Sequence, residues 1–397
     1  MGVLKTLIIT LLSGLLLITA HTAVAEDKTV TFEHFIKNKT EHQGYFSFFH
    51  DQQQGKVYLE VNQFNQAFLF QSAMPHGIGS NDIGLDRGQL GDTRLVQFER
   101  VGDKVFLRQL NSYYRADTDN QLEKQAVNEA FASSIIWGFT VEQVSNNQQR
   151  VFIDYTPFLL SDIHNLSAKL KRRQQGHYKI DVSRSGLYIN RTKAFPNNTE
   201  LEATVTYKGS DAGDYLRSVT PDANAVTVNL HHSLIKLPDA NYQSRVFHPQ
   251  SGYWAESYAD YASDIDQSLI VRNISRHRLK KKTPLAKMSE AVEPIIYYLD
   301  AGVPEPIKSA LLEGASWWDQ AFTAIGYKNA FQVKMMPADA DPMDVRYNVI
   351  QWVHRATRGW SYGSSVIDPR SGEILKGHVT LGSLRVRQDY LIALGLT

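Results

Sequence analysis

Gly359-Trp360-Ser361-Tyr362-Gly363 has the spacing of a serine hydrolase nucleophile turn, and Asp368 and His378 follow Ser361 in the order Ser, Asp, His. That chemistry needs a strand leading in and a helix leading out, so that the serine stands at a sharp turn beside a helix N-terminus. Here Ser364-Ser365-Val366-Ile367-Asp368 leads out into Pro369-Arg370-Ser371-Gly372, which reads as a turn. The three side chains also lie too close in sequence for folded elements to bring them together as a triad. Chance accounts for the match better than catalysis.

Three other groupings could do chemistry. His231-His232, with His248 further on, could hold a metal, yet neighbours on a strand point to opposite faces. That alternation predicts one packed imidazole and one solvated one. Asp339, Asp341 and Asp344 could coordinate calcium through carboxylates, and Pro337 and Pro342 make a plain Asp-rich turn an equal alternative. The glycines of His76-Gly77-Ile78-Gly79-Ser80-Asn81-Asp82-Ile83-Gly84 miss the spacing of a dinucleotide fingerprint and read as a loop.

The elements that must position such groups fall into two patterns. Residues 44–230 are rich in short runs of branched and aromatic residues, such as Val57-Tyr58-Leu59-Glu60-Val61, Phe68-Leu69-Phe70 and Val151-Phe152-Ile153-Asp154-Tyr155. Polar turns such as Gly102-Asp103 separate them, so an antiparallel meander is the simplest topology. Helical periodicity interrupts it over 120–131 and 158–171. After Pro294 the pattern alternates. Ile295-Ile296-Tyr297-Tyr298-Leu299 reads as a strand, and Pro304-Glu305-Pro306 sets up a helix start. Ile307, Leu311, Trp318, Phe322 and Ile325 recur on one helical face up to Gly326, predicting one helix of about five turns. Strands are expected over 331–335, 347–353 and 374–381, and Trp317 and Trp318 are expected to pack at the core and its rim.

Between the two patterns, Arg272, Arg276, His277, Arg278, Lys280, Lys281 and Lys282 make a basic run closed by Pro284 and Pro294. Such a run could bind nucleic acid or an anionic membrane, but no aromatic platform surrounds it, and a solvated connector is the simpler reading. The expected organisation is α+β: a β-rich domain over 26–270, a basic connector over 271–294 and a second module over 295–397.

Composition bounds the setting. Lys5, the apolar run over residues 7–18 and Ala23-Val24-Ala25 form the three parts of a secretory signal peptide, predicting cleavage after Ala25 and an exported, periplasmic or secreted chain. The run is too short to span a bilayer, so no transmembrane segment is expected after its removal. The chain has no cysteine, so it must fold without disulfides, which 397 residues allow. A net charge of +1 argues against nucleic acid as a partner.

Leu237-Pro238-Asp239, Arg276-His277-Arg278-Leu279, Pro304-Glu305-Pro306-Ile307 and the long block over residues 341–390 resemble a bacterial exported zinc-dependent metallopeptidase related to the metzincins. The strand-helix-strand-strand-strand order from Ile295 is similar to the upper part of that peptidase domain, where a twisted sheet lies above the cleft. The resemblance implies that an open edge strand pairs with a peptide or protein substrate. It places that strand at residues 373–383, with the backbone of Gly377, His378, Val379, Thr380 and Leu381 binding substrate; the plain alternative is an edge strand with no substrate, guarded against unwanted pairing by the charge of Lys376. It also implies zinc, held in relatives by a His-Glu-x-x-His helix. None of the thirteen His residues is followed by Glu, and the inverted order is absent too. The expectation is therefore the N-terminal portion of such a peptidase, inactive alone, with no catalytic residue and no metal of its own and with the catalytic part missing at the C-terminal side. A metal-independent periplasmic peptide binder is the alternative.

Overall fold

A computed structural model describes residues 31–396 apart from 148, 357 and 358. The expected signal segment, 1–25, lies outside them. The fold is α+β.

The branched and aromatic runs of the N-terminal region become β1 (Lys56–Val61), β2 (Ala67–His76), β3 (Gln89–Val101), β4 (Lys104–Gln109), β5 (Ser134–Val144), β6 (Val151–Asp154), β7 (Asn198–Ser210) and β8 (Ala225–Ile235). Every pairing among them is antiparallel. Strands β2 to β6 form the expected meander. The rest departs from it, because β1 pairs with β6 and β2 pairs with β8, giving the order β1-β6-β5-β4-β3-β2-β8-β7. The sheet curls until its ends meet: Tyr45 N–H donates to the Phe195 carbonyl at 2.8 Å and Phe46 N–H to Thr199 Oγ1 at 3.0 Å. Inside the curl Phe46, Phe68, Phe70, Phe98, Tyr155 and Phe158 are fully buried. Rings this large dominate the burial energy of a core.

Helices over Gln121–Ala130 and Leu166–Arg172 match the expected periodic stretches, the second shortened because Thr156–Leu159 is a separate turn of helix.

Residues 271–294 are solvated in part, with Arg272, Lys280 and Lys282 exposed, but they are also tied into the fold. Ile270–Ile274 pairs with Ala255–Asp260, and Ser289–Glu290 pairs with Tyr327–Lys328. The basic side chains are used as struts. Arg278 grips Glu373 through Nε at 2.7 Å and Nη2 at 2.8 Å and reaches Asp239 at 2.6 Å. A planar guanidinium suits this two-pronged hold on a carboxylate better than an ammonium does. The charge run is thus a framework joining three segments, which explains Leu237-Pro238-Asp239 and Arg276-His277-Arg278-Leu279 without any ligand.

The C-terminal module is a five-stranded sheet of β9 (Ile295–Leu299), β10 (Phe331–Met335), β11 (Asn348–Val353), β12 (Tyr362–Asp368) and β13 (Glu373–Gly382), in the order β10-β9-β11-β13-β12. Four strands are parallel, and β12 runs antiparallel to β13. The expected single helix is two: α1 (Ile307–Ser316) and α2 (Asp319–Ala324). Between them Trp317 N–H and Trp318 N–H take i−3 carbonyls, and Ser316 Oγ donates back to the Leu312 carbonyl at 2.6 Å. Such back-bonding competes with the regular ladder. Neither Trp is core, since they are 64% and 65% exposed. Gly326 ends the helix as expected, at φ +90°, a region that favours glycine. A last helix, α3 (Ser383–Leu396), has no buried residue.

Alternation gives the C-terminal sheet two working faces. Leu299, Ile350, Trp352, Val379 and Leu381 pack toward α1 and α2. On the other face Val366 packs with Val345 against Leu69, Leu95 and Ile235 of the N-terminal sheet.

Candidate functional site

The backbone expected to bind substrate, Gly377 to Leu381, lies in β13, which has β11 on one side and β12 on the other. It is an interior strand. The expectation misplaced the edge because a hairpin turn at Pro369–Gly372 folds β12 back along its outer side, and sequence order does not reveal that. Lys376 guards no edge either. It is buried, donating to the carbonyls of Pro342 and Asp344. Gly377 makes room for a side chain within the fold, since a Cβ there would collide with the Tyr297 ring.

The sheet has two edges, β10 and β12, and the one next to the expected strand is β12, seven residues long. Both of its ends are held by the N-terminal region. At its start, Tyr362 Oη donates to Asp86 at 3.4 Å, beside the Arg355 Nε to Asp86 bond of 2.7 Å. Asp86 comes from the connection between β2 and β3, two residues past the glycine stretch that the sequence reads as a loop. Arg87 in the same loop donates to the Trp352 carbonyl at 3.0 Å. At the other end the Arg115 guanidinium donates to the carbonyls of Pro369 and Arg370. Between these anchors Gly363 is exposed, and no other strand pairs with the outer side of β12 among the described residues.

Ser361 stands just before this edge, where its Oγ accepts from Gly382 N–H at 3.2 Å. A strand follows it, not a helix. Asp368 is bound bidentately by Arg370 at the far end of β12, roughly 20 Å away at the usual rise per strand residue. His378 is paired with Ser364. The serine triad is not assembled.

On the helix side of the sheet, α1, α2 and strands β9, β10, β11 and β13 leave an apolar groove of about 490 Å³ between Leu311, Trp318, Phe322, Ile350, Val379 and Leu381. A wider, more polar groove of about 950 Å³ runs past Leu237, Tyr298 and Arg278.

Beneath the edge lies a layer of charge that sequence reading missed. In β7 and β8, Glu202 stands opposite His231 and Glu200 opposite Ser233. Alternation turns these four to the outer face and sends His232 inward. His231 Nδ1 meets Glu202 at 2.9 Å, and Nε2 meets Glu200. Two carboxylates on two ring nitrogens require both to carry hydrogen, so the imidazole is charged. Burial opposes that charge, but the hydrogen bonds His231 donates to Glu200 and Glu202 outweigh it and bring its pKa up to about 9. Asn198, Asn229 and Ser233 complete the carboxylates' partners.

His232 on the opposite face bonds Tyr155 Oη at 3.2 Å among Phe70 and Phe158, and burial drives its pKa well down. The expectation of one packed and one solvated histidine fails because both faces of β8 are covered. The third, His248, caps a short 3-10 turn and is exposed. Asp341 pairs with Lys193 and Asp344 with Arg346, so the Asp-rich segment is a turn tied down by ion pairs. Among the described residues no group of three or more His, Cys, Asp or Glu side chains is arranged to hold a metal.

Comparison with known protein families gives a partial match. A family model described as a domain of unknown function (DUF5117) matches residues 88–282, from the loop that anchors β12 to the end of the basic run. No curated protein matches the chain, and no solved structure does.

Proposed function

We propose that this chain is the N-terminal and upper-cleft portion of an exported zinc-dependent metallopeptidase related to the metzincins, and that it holds an extended peptide as an added strand on β12. The observation that carries the reading is the sheet order. Of the two edge strands it leaves β12, the antiparallel one, with its outer N–H and C=O groups unpaired and both ends clamped, one strand away from the apolar groove lined by Val379 and Leu381 of β13. An unpaired edge is a template for another strand, with main-chain bonds supplying affinity and neighbouring pockets selecting side chains. The groove between Trp318 and Leu381 is the place for an apolar substrate side chain.

Zinc would supply the activated water in a relative that carries its ligands. The described side chains do not include a donor set that fits it, so no hydrolytic step is assigned to them. The role of this chain is to align substrate.

The experiment is a calorimetric titration of the purified chain with extended decapeptides, N-methylated at odd or at even positions. One methylated set is expected to lose binding, because its methyls replace the N–H groups directed at β12, and the other to keep it. Equal binding by both sets would sink the edge reading. Binding is expected to persist in chelator. Export is tested by sequencing the N-terminus of the mature chain from a cell fraction, expected at Glu26.

A further inference from the structure

The two sheets do not close completely over the charged layer. They leave a cavity of about 90 Å³ whose walls include Arg191, Glu200, Ser233, Gln351, Lys376 and His378. Its volume matches about three water molecules. Its polar groups are not matched to one another. Glu200 is fully engaged, accepting from Asn198, His231 and Ser233. Lys376, buried, gives two hydrogens to carbonyls and retains a third. His378 is 7% exposed, and its Nε2 has no hydrogen-bond partner; Arg191 Nε and Gln351 Oε1 are also without one. The balance of charge is positive by one: Arg191, Lys376 and protonated His231 stand against Glu200 in the wall and Glu202 behind it, while the nearby Asp341 and Asp344 are paired with Lys193 and Arg346.

We infer that this cavity binds a small oxyanion, of the size of formate or phosphate, between Arg191 of the N-terminal region and Lys376 and His378 of β13. A buried excess cation is costly unless it is paired. A compact anion satisfies the free hydrogen of Lys376, the Arg191 Nε–H and the unpartnered His378 ring together, by charge-assisted bonds that water cannot match. Arg191 Nε lies 3.2 Å from Glu202 Oε2 at an angle that makes no hydrogen bond, which leaves that N–H for the ligand. Since the walls come from both sheets, occupancy joins them. The anion is then a structural ligand of the interface, on the buried face of the sheet and not on the outer side of β12.

The test uses the intact chain with sodium formate, sodium phosphate and sodium bromide at low millimolar concentration. Formate or phosphate is expected to bind at one site per chain in calorimetry and to raise the unfolding midpoint. In Arg191→Gln the affinity is expected to fall at least about tenfold, the effect of losing one charge-assisted hydrogen bond. A bromide-soaked crystal of the unaltered chain is expected to show an anomalous peak between Arg191 and Lys376, a readout independent of any variant's folding. Absence of both binding heat and the peak means that the cavity holds only water and overturns the inference. Equal affinity in Arg191→Gln and the unaltered chain places the anion elsewhere and overturns it too.

Discussion

Arg355 and Asp86 form an ion pair with side chains 2% and 1% exposed, across the junction of the β2–β3 connection and the C-terminal sheet. Two such groups are stable out of water only together. Asp86→Asn keeps the shape but leaves the guanidinium buried without its counter-charge, which is expected to cost about 3–5 kcal/mol. The measurement is the urea midpoint at unchanged slope. Adding Arg355→Met is expected to recover much of the loss, and a single-variant cost near zero would show that the pair does not couple the two regions.

Acid is expected to destabilise the chain through neutral buried histidines. Burial pushes His277 down to about 4, and burial with Lys376 nearby pushes His378 to about 4 as well. The unfolded chain binds these protons first, so the stability they contribute is full above about pH 6.5 and is lost as pH falls toward 4. Each contributes up to about 3 kcal/mol. His231 has the opposite sign. Its folded value is raised to about 9, so its contribution is full below about pH 6.5 and is lost as pH rises through 9. Urea midpoints across this range are expected to peak between the two limbs, and His231→Gln to remove the alkaline one.

Gly377→Ala tests the packing that the sequence suggested was a substrate approach. Its Cβ would meet the Tyr297 ring, an overpacking expected to cost about 1–3 kcal/mol. In a Tyr297→Leu background the same substitution is expected to cost close to nothing. A like cost in both backgrounds would mean that the ring is not what Gly377 accommodates.

The groove between the helices and the C-terminal sheet is open and apolar, and such surfaces bind hydrophobic dyes. The native chain is expected to enhance anilinonaphthalene sulfonate fluorescence, and Leu381→Glu to reduce it. Unchanged emission would place the dye elsewhere.

Local chemistry was legible in the sequence where neighbours along the chain decide it. The strand runs at Val57 and Val151, the helix over 121–130 and the cap at Gly326 follow from propensity, alternation and φ. Pairing partners were not. Whether β13 is an edge depends on where β12 folds back, and whether His231 meets water depends on a sheet more than a hundred residues away in sequence. The break at Trp317 was hidden for a subtler reason, since apolar spacing continues through it while the backbone bonds tighten. The basic run misled because charge was read as solvation, although Arg278 spends its charge on Glu373 and Asp239.

The sharing of Asp86 with Arg355, and of one charged layer by both sheets, bears on how the chain can be dissected. A cut near Pro294 would follow the change of sequence pattern yet strand a guanidinium on one fragment and a carboxylate on the other. Each piece would then carry a face built for contact, with ions in it that water must rescue. The chain is therefore expected to melt as one cooperative unit, and dividing it where its composition changes would yield two insoluble halves.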